Sequence, residues 1–276
     1  MAASTVEGPV AHHFDNMGQQ LATVRFGMWL FLVTEVLFFG GVFCAYTAYR
    51  VWYPRDFEAG SAALNVGIAS VNTFLLLTSS LTITLAIRAA YVGSRNGLAR
   101  NLLFTIILGS AFLGLKAREY YLDYEEGLMP GPATVMQKQT VEQNGKEVEI
   151  EVAVPKFNVK LEEALKREHF KGEAHKDYDP SRVQLFFMFY YSMTGLHVLH
   201  MIIGIGLLTW QLILAKTGFF DHKSRYVYIE VMSLYWHFVD MVWMFLLPLL
   251  YLCGPHTWSQ AIEQFKLALG LSQGGH

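Results

Sequence analysis

The feature that most limits how this chain can fold is a set of long apolar segments. One runs from Leu185 to Ala215 without a formally charged residue, and another runs from Tyr226 to Leu252. A helix needs about 20 mostly apolar residues to cross a bilayer, so both segments are long enough to span one. Hydrophobic residues make up 53% of the 276 residues and charged residues only 16%, which is typical of a membrane protein. The net charge of −2 gives no reason to expect a nucleic-acid partner.

The apolar segments predict an all-α membrane protein, a bundle of five transmembrane helices with a small extramembrane insertion. The predicted divisions of the chain are an arm at 1–25, helices 1 to 3 at 26–122, the insertion at 123–184, helices 4 and 5 at 185–252, and a tail at 253–276. The insertion is too rich in charge to lie in hydrocarbon. Within it, residues that alternate between polar and apolar flank an Asn-Gly pair at positions 144 and 145, and this pattern predicts a β-hairpin. Residues 160–170 predict a short amphipathic helix.

Basic residues in the short loops predict the orientation of the chain. They lie mostly on one side of the predicted bundle, at Arg25, Arg88, Arg95, Arg100, Lys216, Lys223 and Arg225, against Arg50, Arg55 and Lys266 on the other. Cytoplasmic loops of membrane proteins carry the excess of Lys and Arg, so we expect the N-terminal arm in the cytoplasm. With five spans, the insertion and the C-terminal tail then face outward.

A glutamate interrupts the first apolar segment. Glu35 lies within MWLFLVTEVLFFGG, so aromatic and aliphatic side chains flank its carboxylate. Desolvation in such a setting disfavours the ionised form unless a cation or several donors compensate. Ionisable groups at this depth mark functional or partner-contacting positions. The following Gly40 and Gly41 permit a close approach of another helix.

Polar residues recur on the fourth and fifth apolar segments. His197 and His200 are three residues apart in TGLHVLH, and His237 and Asp240 are three apart in YWHFVDMVW, so each pair shares one helix face. The fifth segment also carries Glu230, Trp236 and Trp243. Two interpretations are open for these groups. They could hold a metal ion together, or they could make hydrogen bonds between helices.

The second and third segments carry polar residues of a different kind. The second segment is dense in small hydroxyl residues, and these predict a surface for helix packing. They are Ser70, Thr73, Thr78, Ser79, Ser80, Thr82 and Thr84. The third segment ends in KAREYYLDY. There we expect Lys116 to extend its amine to the membrane interface, and Glu119 to pair with a cation or face inward.

Four of these motifs together resemble one known family. GMWLFLVTEVLFFGG, REYYLDY, TGLHVLH and YIEVMSLYWHFVDMVWMFL occur in the order found in subunit III of the haem–copper terminal oxidases, the cytochrome c and quinol oxidases. The resemblance implies a chain with no redox centre, bound beside a catalytic subunit I that holds the haems and copper, reduces oxygen to water and pumps protons. It also implies that this chain stabilises the catalytic subunit, supports proton uptake and binds structural phospholipid.

The resemblance carries expectations for individual residues. Glu35 matches the family's buried, carbodiimide-reactive carboxylate, and Lys216 is the expected partner of a lipid phosphate. The resemblance favours polar contacts between helices over a metal site for Glu119, His197, His200, Glu230, Trp236, His237, Asp240 and Trp243. No catalytic residue, cofactor site or metal site is expected in this chain.

The chain departs from the longer family members in two ways. Those members have seven spans, and this chain matches them from the third. The lipid-filled cleft between their first two helices and the rest is therefore expected here only if another subunit supplies those two helices. The insertion at 123–184 replaces a short loop, and we expect it to contact a cytochrome c domain or another respiratory complex. The expected location is a bacterial plasma membrane, with subunits I and II as neighbours. The alternative function is an accessory subunit of a nitric oxide reductase; a transporter is disfavoured because no broken helix pair occurs.

Overall fold

A computed structural model describes residues 14–126, 128–129, 134–143, 146–167, 178–221 and 223–252. The helices in this part of the chain are α1 (Met17–Trp52), α2 (Pro54–Ala62), α3 (Val66–Tyr91), α4 (Arg95–Glu126), α5 (Lys156–Arg167), α6 (Pro180–Lys216) and α7 (Val227–Tyr251). The other elements are strands β1 (Thr134–Gln143) and β2 (Lys146–Pro155) and single 3₁₀ turns at Phe219–Asp221 and Lys223–Tyr226. The predicted tail lies outside the described residues, as does the start of the arm.

Five of the helices, α1, α3, α4, α6 and α7, are long and apolar enough to cross a membrane. The prediction of an all-α membrane protein with five transmembrane helices is confirmed. The helices extend beyond the apolar segments and include polar residues at their ends. Thus α4 reaches Glu126 and α6 begins at Pro180, where proline suits a first turn that needs no amide donor. Helical structure therefore enters both ends of the range 123–184.

The insertion contains the predicted hairpin. β1 and β2 pair antiparallel, in a register that sets Gln143 opposite Lys146. The Asn-Gly pair at 144–145, on which the prediction rested, lies outside the described residues. The amphipathic helix predicted over 160–170 begins earlier, as α5 over Lys156–Arg167.

Internal contacts divide the chain into two compact units. The first consists of Met1–Ala45, Ser70–Leu115 and Met193–Leu246, and the second of Tyr46–Ala69, Lys116–Ser192 and Leu247–His276. The spans differ greatly in how much of their surface other parts of the chain cover. In the most apolar window of each span, 56% of α7 is buried but only 11% of α1. The helix α7 therefore has the most internal contact, and α1 has the least.

The core of the first unit is built around the indole of Trp236 on α7. A Cβ at Gly109 on α4 would come within 2.8 Å of this ring, and a Cβ at Gly204 on α6 within 3.1 Å. The two glycines therefore let their helices approach the indole closely. Gly40 and Gly41 on α1 are different, because beyond the adjoining turns of α1 itself no atom of the described residues lies within 4 Å of either Cβ position. The close approach predicted there is not made within the described chain.

In the second unit, hydrogen bonds hold the two ends of the insertion. The buried carboxylate of Asp56 on α2 accepts the backbone N–H of Asp179 at 2.7 Å and lies 3.8 Å from the guanidinium of Arg182. Just after α4, the N–H of Leu128 donates to the carbonyl of Asp123 at 2.9 Å. These contacts fix where the chain leaves α4 and where it enters α6.

Candidate functional site

The first candidate site joins α1 to α6 near the middle of both helices. His200 Nε2 lies 3.1 Å from Glu35 Oε2, and His200 Nδ1 lies 2.8 Å from the carbonyl oxygen of Leu196. A carbonyl oxygen only accepts, so Nδ1 carries a proton and donates it to Leu196. The contact between Nε2 and Oε2 then holds one proton. Either the imidazole or the carboxyl group can carry that proton, as an ion pair or a neutral pair.

This pair is only partly buried. The side chain of Glu35 is 19% exposed and that of His200 is 12% exposed. The ring of Phe39 packs against the imidazole, with the ring centroids 5.1 Å apart. The second carboxyl oxygen, Glu35 Oε1, has no hydrogen-bond partner among the described residues. The sequence predicted apolar surroundings for Glu35, and the structure adds the compensating imidazole.

A second cluster joins α3 to α7. Ser80 Oγ lies 2.5 Å from Asp240 Oδ2 and 3.1 Å from His237 Nδ1. The hydroxyl donates to the carboxylate, so Nδ1 is the donor toward Ser80. Asp240 Oδ1 is buried and has no partner among the residues described. The sequence did not single out Ser80, because it is one of many hydroxyl residues on this span.

The remaining polar groups on α6 and α7 lie within the first unit. Trp236 Nε1 donates to Ser79 Oγ at 3.1 Å, and Trp243 Nε1 donates to Thr73 Oγ1 at 3.0 Å. The imidazole of His197 is buried, and its ring centroid lies 5.4 Å from that of Trp243. Hydroxyl groups on α3 thus bind both indoles of α7.

The structure does not bring the four proposed metal ligands together. His200 contacts Glu35, His237 and Asp240 share a serine, and His197 packs against an indole. Within the described ranges, no group of three or more His, Cys, Asp or Glu side chains is arranged to hold a metal ion.

Glu230 lies at the start of α7. Its Oε2 lies 2.8 Å from Arg25 Nη2 on α1, and its Oε1 accepts the hydroxyl of Tyr91 on α3. The guanidinium is more than half exposed, and such ion pairs contribute at most about 1 kcal/mol. Lys216 is the exposed last residue of α6.

The second unit holds a buried ion pair. Lys116 Nζ lies 3.0 Å from Glu119 Oε2, and the two residues are only 1% and 3% exposed. The amine also donates to the hydroxyls of Tyr190 and Tyr251, at 3.2 and 2.9 Å. Both hydroxyls donate to Glu119 Oε1, at 2.9 and 2.7 Å. The prediction that Lys116 extends to the membrane interface is wrong, because these tyrosines give its amine internal acceptors.

Comparison with known proteins decides the family. The sequence model described as cytochrome c oxidase subunit III matches residues 6–124 and 183–255. The chain belongs to this family. The match covers the five membrane-spanning helices of this subunit III almost completely, and it omits residues 125–182. The insertion is therefore the part of the chain in which it departs from the family.

Individual relatives agree with the family match. The chain is 25% identical to the cytochrome bo(3) ubiquinol oxidase subunit 3 of Pseudomonas aeruginosa, over 89% of this chain and 92% of that protein. It is 29% identical to the cytochrome c oxidase subunit 3 of Rattus norvegicus, over 84% of this chain and 70% of that protein. The family resemblance seen in the motifs is confirmed. This subunit III is a multi-pass membrane protein and part of a respiratory oxidase complex.

Proposed function

We propose that this subunit III binds beside catalytic subunit I of a proton-pumping haem–copper oxidase, stabilises it and supports its proton uptake. In this proposal the haems and copper belong to the partner subunits, and this chain carries no redox centre. Subunit II and other respiratory subunits are the further neighbours. The observation that carries the proposal is the pair formed by Glu35 and His200.

The pair has the properties of a group that transfers protons. It lies at the middle of two membrane spans, where ionisable side chains are costly and are typical of proton relays. Its one proton can lie on either residue, because His200 Nδ1 is already committed to a backbone carbonyl. The pair is also partly exposed, so groups outside the chain can reach it. These features support proton transfer between this chain and a neighbour.

The stabilising role is supported by the contacts of α7. Its indoles and Asp240 are hydrogen-bonded to hydroxyls of α3, which fixes the relative positions of these two helices. A pre-organised surface loses less conformational freedom when a partner binds to it. We further propose that the ammonium group of Lys216 binds the phosphate of a structural lipid.

The proposed location is a bacterial plasma membrane. The arm at 1–25 faces the cytoplasm, and the insertion at 123–184 and the tail at 253–276 face outward. On that side the insertion would contact a cytochrome c domain or another respiratory complex. This part of the proposal is supported by the family match, which ends where the insertion begins and resumes where it ends.

The test of the proton role is the variant Glu35→Gln in the purified oxidase. The amide preserves the shape of the side chain but cannot carry the shared proton. We expect unchanged haem content and reduced-minus-oxidised spectrum, with a slower rate of proton uptake. The matched control is Glu230→Gln, which alters a glutamate at a helix end and should leave uptake unchanged.

Two results would contradict the proposal. Proton uptake equal to that of the wild type in Glu35→Gln would exclude the proton role, and loss of haem from this variant would show that Glu35 is needed for assembly. Co-purification separates the oxidase from the alternative function. A catalytic partner that consumes oxygen supports the oxidase, whereas one that reduces nitric oxide would identify the accessory subunit of a reductase.

A further inference from the structure

A cavity lies in the first unit, where the turn between α3 and α4 meets the connection between α6 and α7. It has a volume of about 190 Å³. Part of its lining is apolar and buried, and consists of Ala90, Leu98 and Phe220. The polar part includes Ser94, Arg95 and Tyr226. The cavity shares no residue with the Glu35 and His200 pair or with the polar contacts between α3 and α7.

Tyr226 brings an unused hydroxyl group to this cavity. The residue is only 8% exposed, and its ring packs edge-on against that of Tyr91, with the ring centroids 5.9 Å apart. The hydroxyl has no hydrogen-bond partner among the described residues, and protein atoms do not seal it off. The hydroxyl of a buried tyrosine usually finds such a partner. That of Tyr226 is therefore available to a ligand in the cavity.

Arg95 supplies a fixed positive charge. Its Nε donates to the carbonyl oxygen of Ala215 at 2.9 Å, which anchors the side chain at the end of α6. The two terminal nitrogens, Nη1 and Nη2, have no acceptor within the described part of the chain. A guanidinium group binds phosphate oxygens through parallel N–H donors of this kind. Because the side chain is already anchored, little conformational freedom remains to be lost on binding.

The start of α4 adds backbone donors. Ser94 caps the helix, because its Oγ accepts the N–H of Gly97 at 3.2 Å and its carbonyl oxygen accepts the N–H of Leu98 at 2.9 Å. The N–H groups of Arg95 and Asn96 have no acceptor among the residues that the structure describes. Unpaired N–H groups and the positive end of the macrodipole attract anions to the N-terminus of a helix.

The charge of the two connections indicates the same class of ligand. Residues 92–95 and 216–226 contain more basic than acidic residues, namely Arg95, Lys216, Lys223 and Arg225 against Asp221. A cation would be repelled, and an apolar molecule would leave the donors of Arg95 and Tyr226 unpaired. A carboxylate offers two oxygens in one plane, whereas these donors come from a side chain of α4, its backbone and Tyr226. The tetrahedral oxygens of a phosphate group can accept from all three.

We propose that this cavity binds a phosphate group, with Arg95, Tyr226 and the first N–H groups of α4 as its donors. The phosphate belongs to a lipid headgroup or to a soluble phosphate compound, because both present the same oxygens. This inference goes beyond the proposed function and does not depend on the proton role of Glu35. The site is also separate from the lipid contact proposed for Lys216, which does not line the cavity.

Binding is measured on the whole purified complex that contains this subunit III, with two probes. Inorganic phosphate is followed by the broadening of its phosphorus NMR signal, and phosphatidylglycerol in mixed micelles is followed by native mass spectrometry. The variants are Arg95→Gln and Tyr226→Phe. Arg95→Gln also loses the bond to Ala215, which can disturb the end of α6. Tyr226→Phe removes only a hydroxyl without a partner among the described residues, so its fold should be unchanged.

We expect Arg95→Gln to weaken the binding of at least one probe roughly tenfold and Tyr226→Phe to weaken it roughly threefold, because each loses a hydrogen bond to a charged oxygen. The matched controls are Arg100→Gln and Tyr228→Phe. They alter an exposed arginine of α4 and a tyrosine of α7 that do not line the cavity. Both controls should bind each probe as the wild type does.

The pattern of losses identifies the source of the phosphate. Weaker binding of inorganic phosphate supports a soluble ligand, and weaker binding of phosphatidylglycerol alone supports a lipid headgroup. If Tyr226→Phe binds both probes as tightly as Tyr228→Phe does, the proposal is overturned, whatever the effect of Arg95→Gln. Equal losses in Arg95→Gln and Arg100→Gln would also overturn it, because they would show a general attraction of anions to basic surface residues.

Discussion

Replacing Lys116 with methionine should lower the free energy of unfolding by about 3–5 kcal/mol, the usual cost of removing one partner from a buried ion pair. Methionine has a similar length and fits the same space. It removes the positive charge and the donors that reach Glu119, Tyr190 and Tyr251. Glu119 keeps the two tyrosine hydroxyls as donors, but it remains as a carboxylate without a counter-charge at 3% exposure.

The double variant Lys116→Met with Glu119→Gln gives the decisive comparison. It removes both charges, so the desolvation of an unpaired carboxylate no longer opposes folding. Neutral replacement of a buried pair is often close to neutral in stability, and we therefore expect the double variant to be more stable than Lys116→Met alone. The control is Lys216→Met, at an exposed helix end, which should change stability by no more than about 0.5 kcal/mol.

Stability is measured by equilibrium unfolding of the detergent-solubilised chain with increasing sodium dodecyl sulfate. Tyrosine and tryptophan fluorescence reports the loss of packing. The single variant Glu119→Gln is measured in the same way. If the loss of unfolding free energy in the double variant equals the sum of the losses in Lys116→Met and Glu119→Gln, the two charges are not coupled. The reasoning from the buried pair would then be refuted.

Two further predictions concern the packing of the spans, and a third concerns the insertion. Gly109→Ala should lower the free energy of unfolding by about 1–3 kcal/mol, because the new methyl group overlaps the indole of Trp236. Gly114→Ala, at an exposed position of α4, should change it by less than about 0.5 kcal/mol. Both variants are measured in the titration with sodium dodecyl sulfate. Asp240→Leu should reduce the retention of this chain in the purified oxidase, because the partly buried hydroxyl of Ser80 loses its acceptor, and Asp240→Asn should largely preserve it. Deletion of 133–178 should leave the haem spectrum unchanged but slow electron transfer from the donor; an unchanged rate would argue against a docking role for the insertion.

Features with local signals were predictable from the sequence. Apolar segments longer than about 20 residues predict membrane spans whatever their neighbours are. The Asn-Gly pair predicted the hairpin because both residues accept positive φ, and the strands on either side pair as expected. The order of the four motifs predicted the family.

The polar clusters depended on contacts that no local pattern reveals. Lys116 could have reached the interface, and its burial is decided by Tyr190 and Tyr251, which are 74 and 135 residues away. His197 and His200 share a helix face by spacing, yet one packs on an indole and the other binds a carboxylate on α1. Which groups oppose each other across helices depends on packing, and the sequence alone left the metal site and the helix contacts as open alternatives.

The hydrogen bonds at the two ends of the insertion also matter for how this subunit can change over time. One joins Leu128 to Asp123 and the other joins Asp179 to Asp56, and neither uses a residue between 128 and 179. Parts of that range outside α5, whose buried Phe157 packs on Phe187 of α6, can lengthen, shorten or be exchanged while the points of exit and entry keep their own attachments. The same arrangement offers protein engineers a position at which an epitope or a fluorescent domain can be inserted, and it gives evolution a place to add a module to an otherwise conventional set of membrane helices.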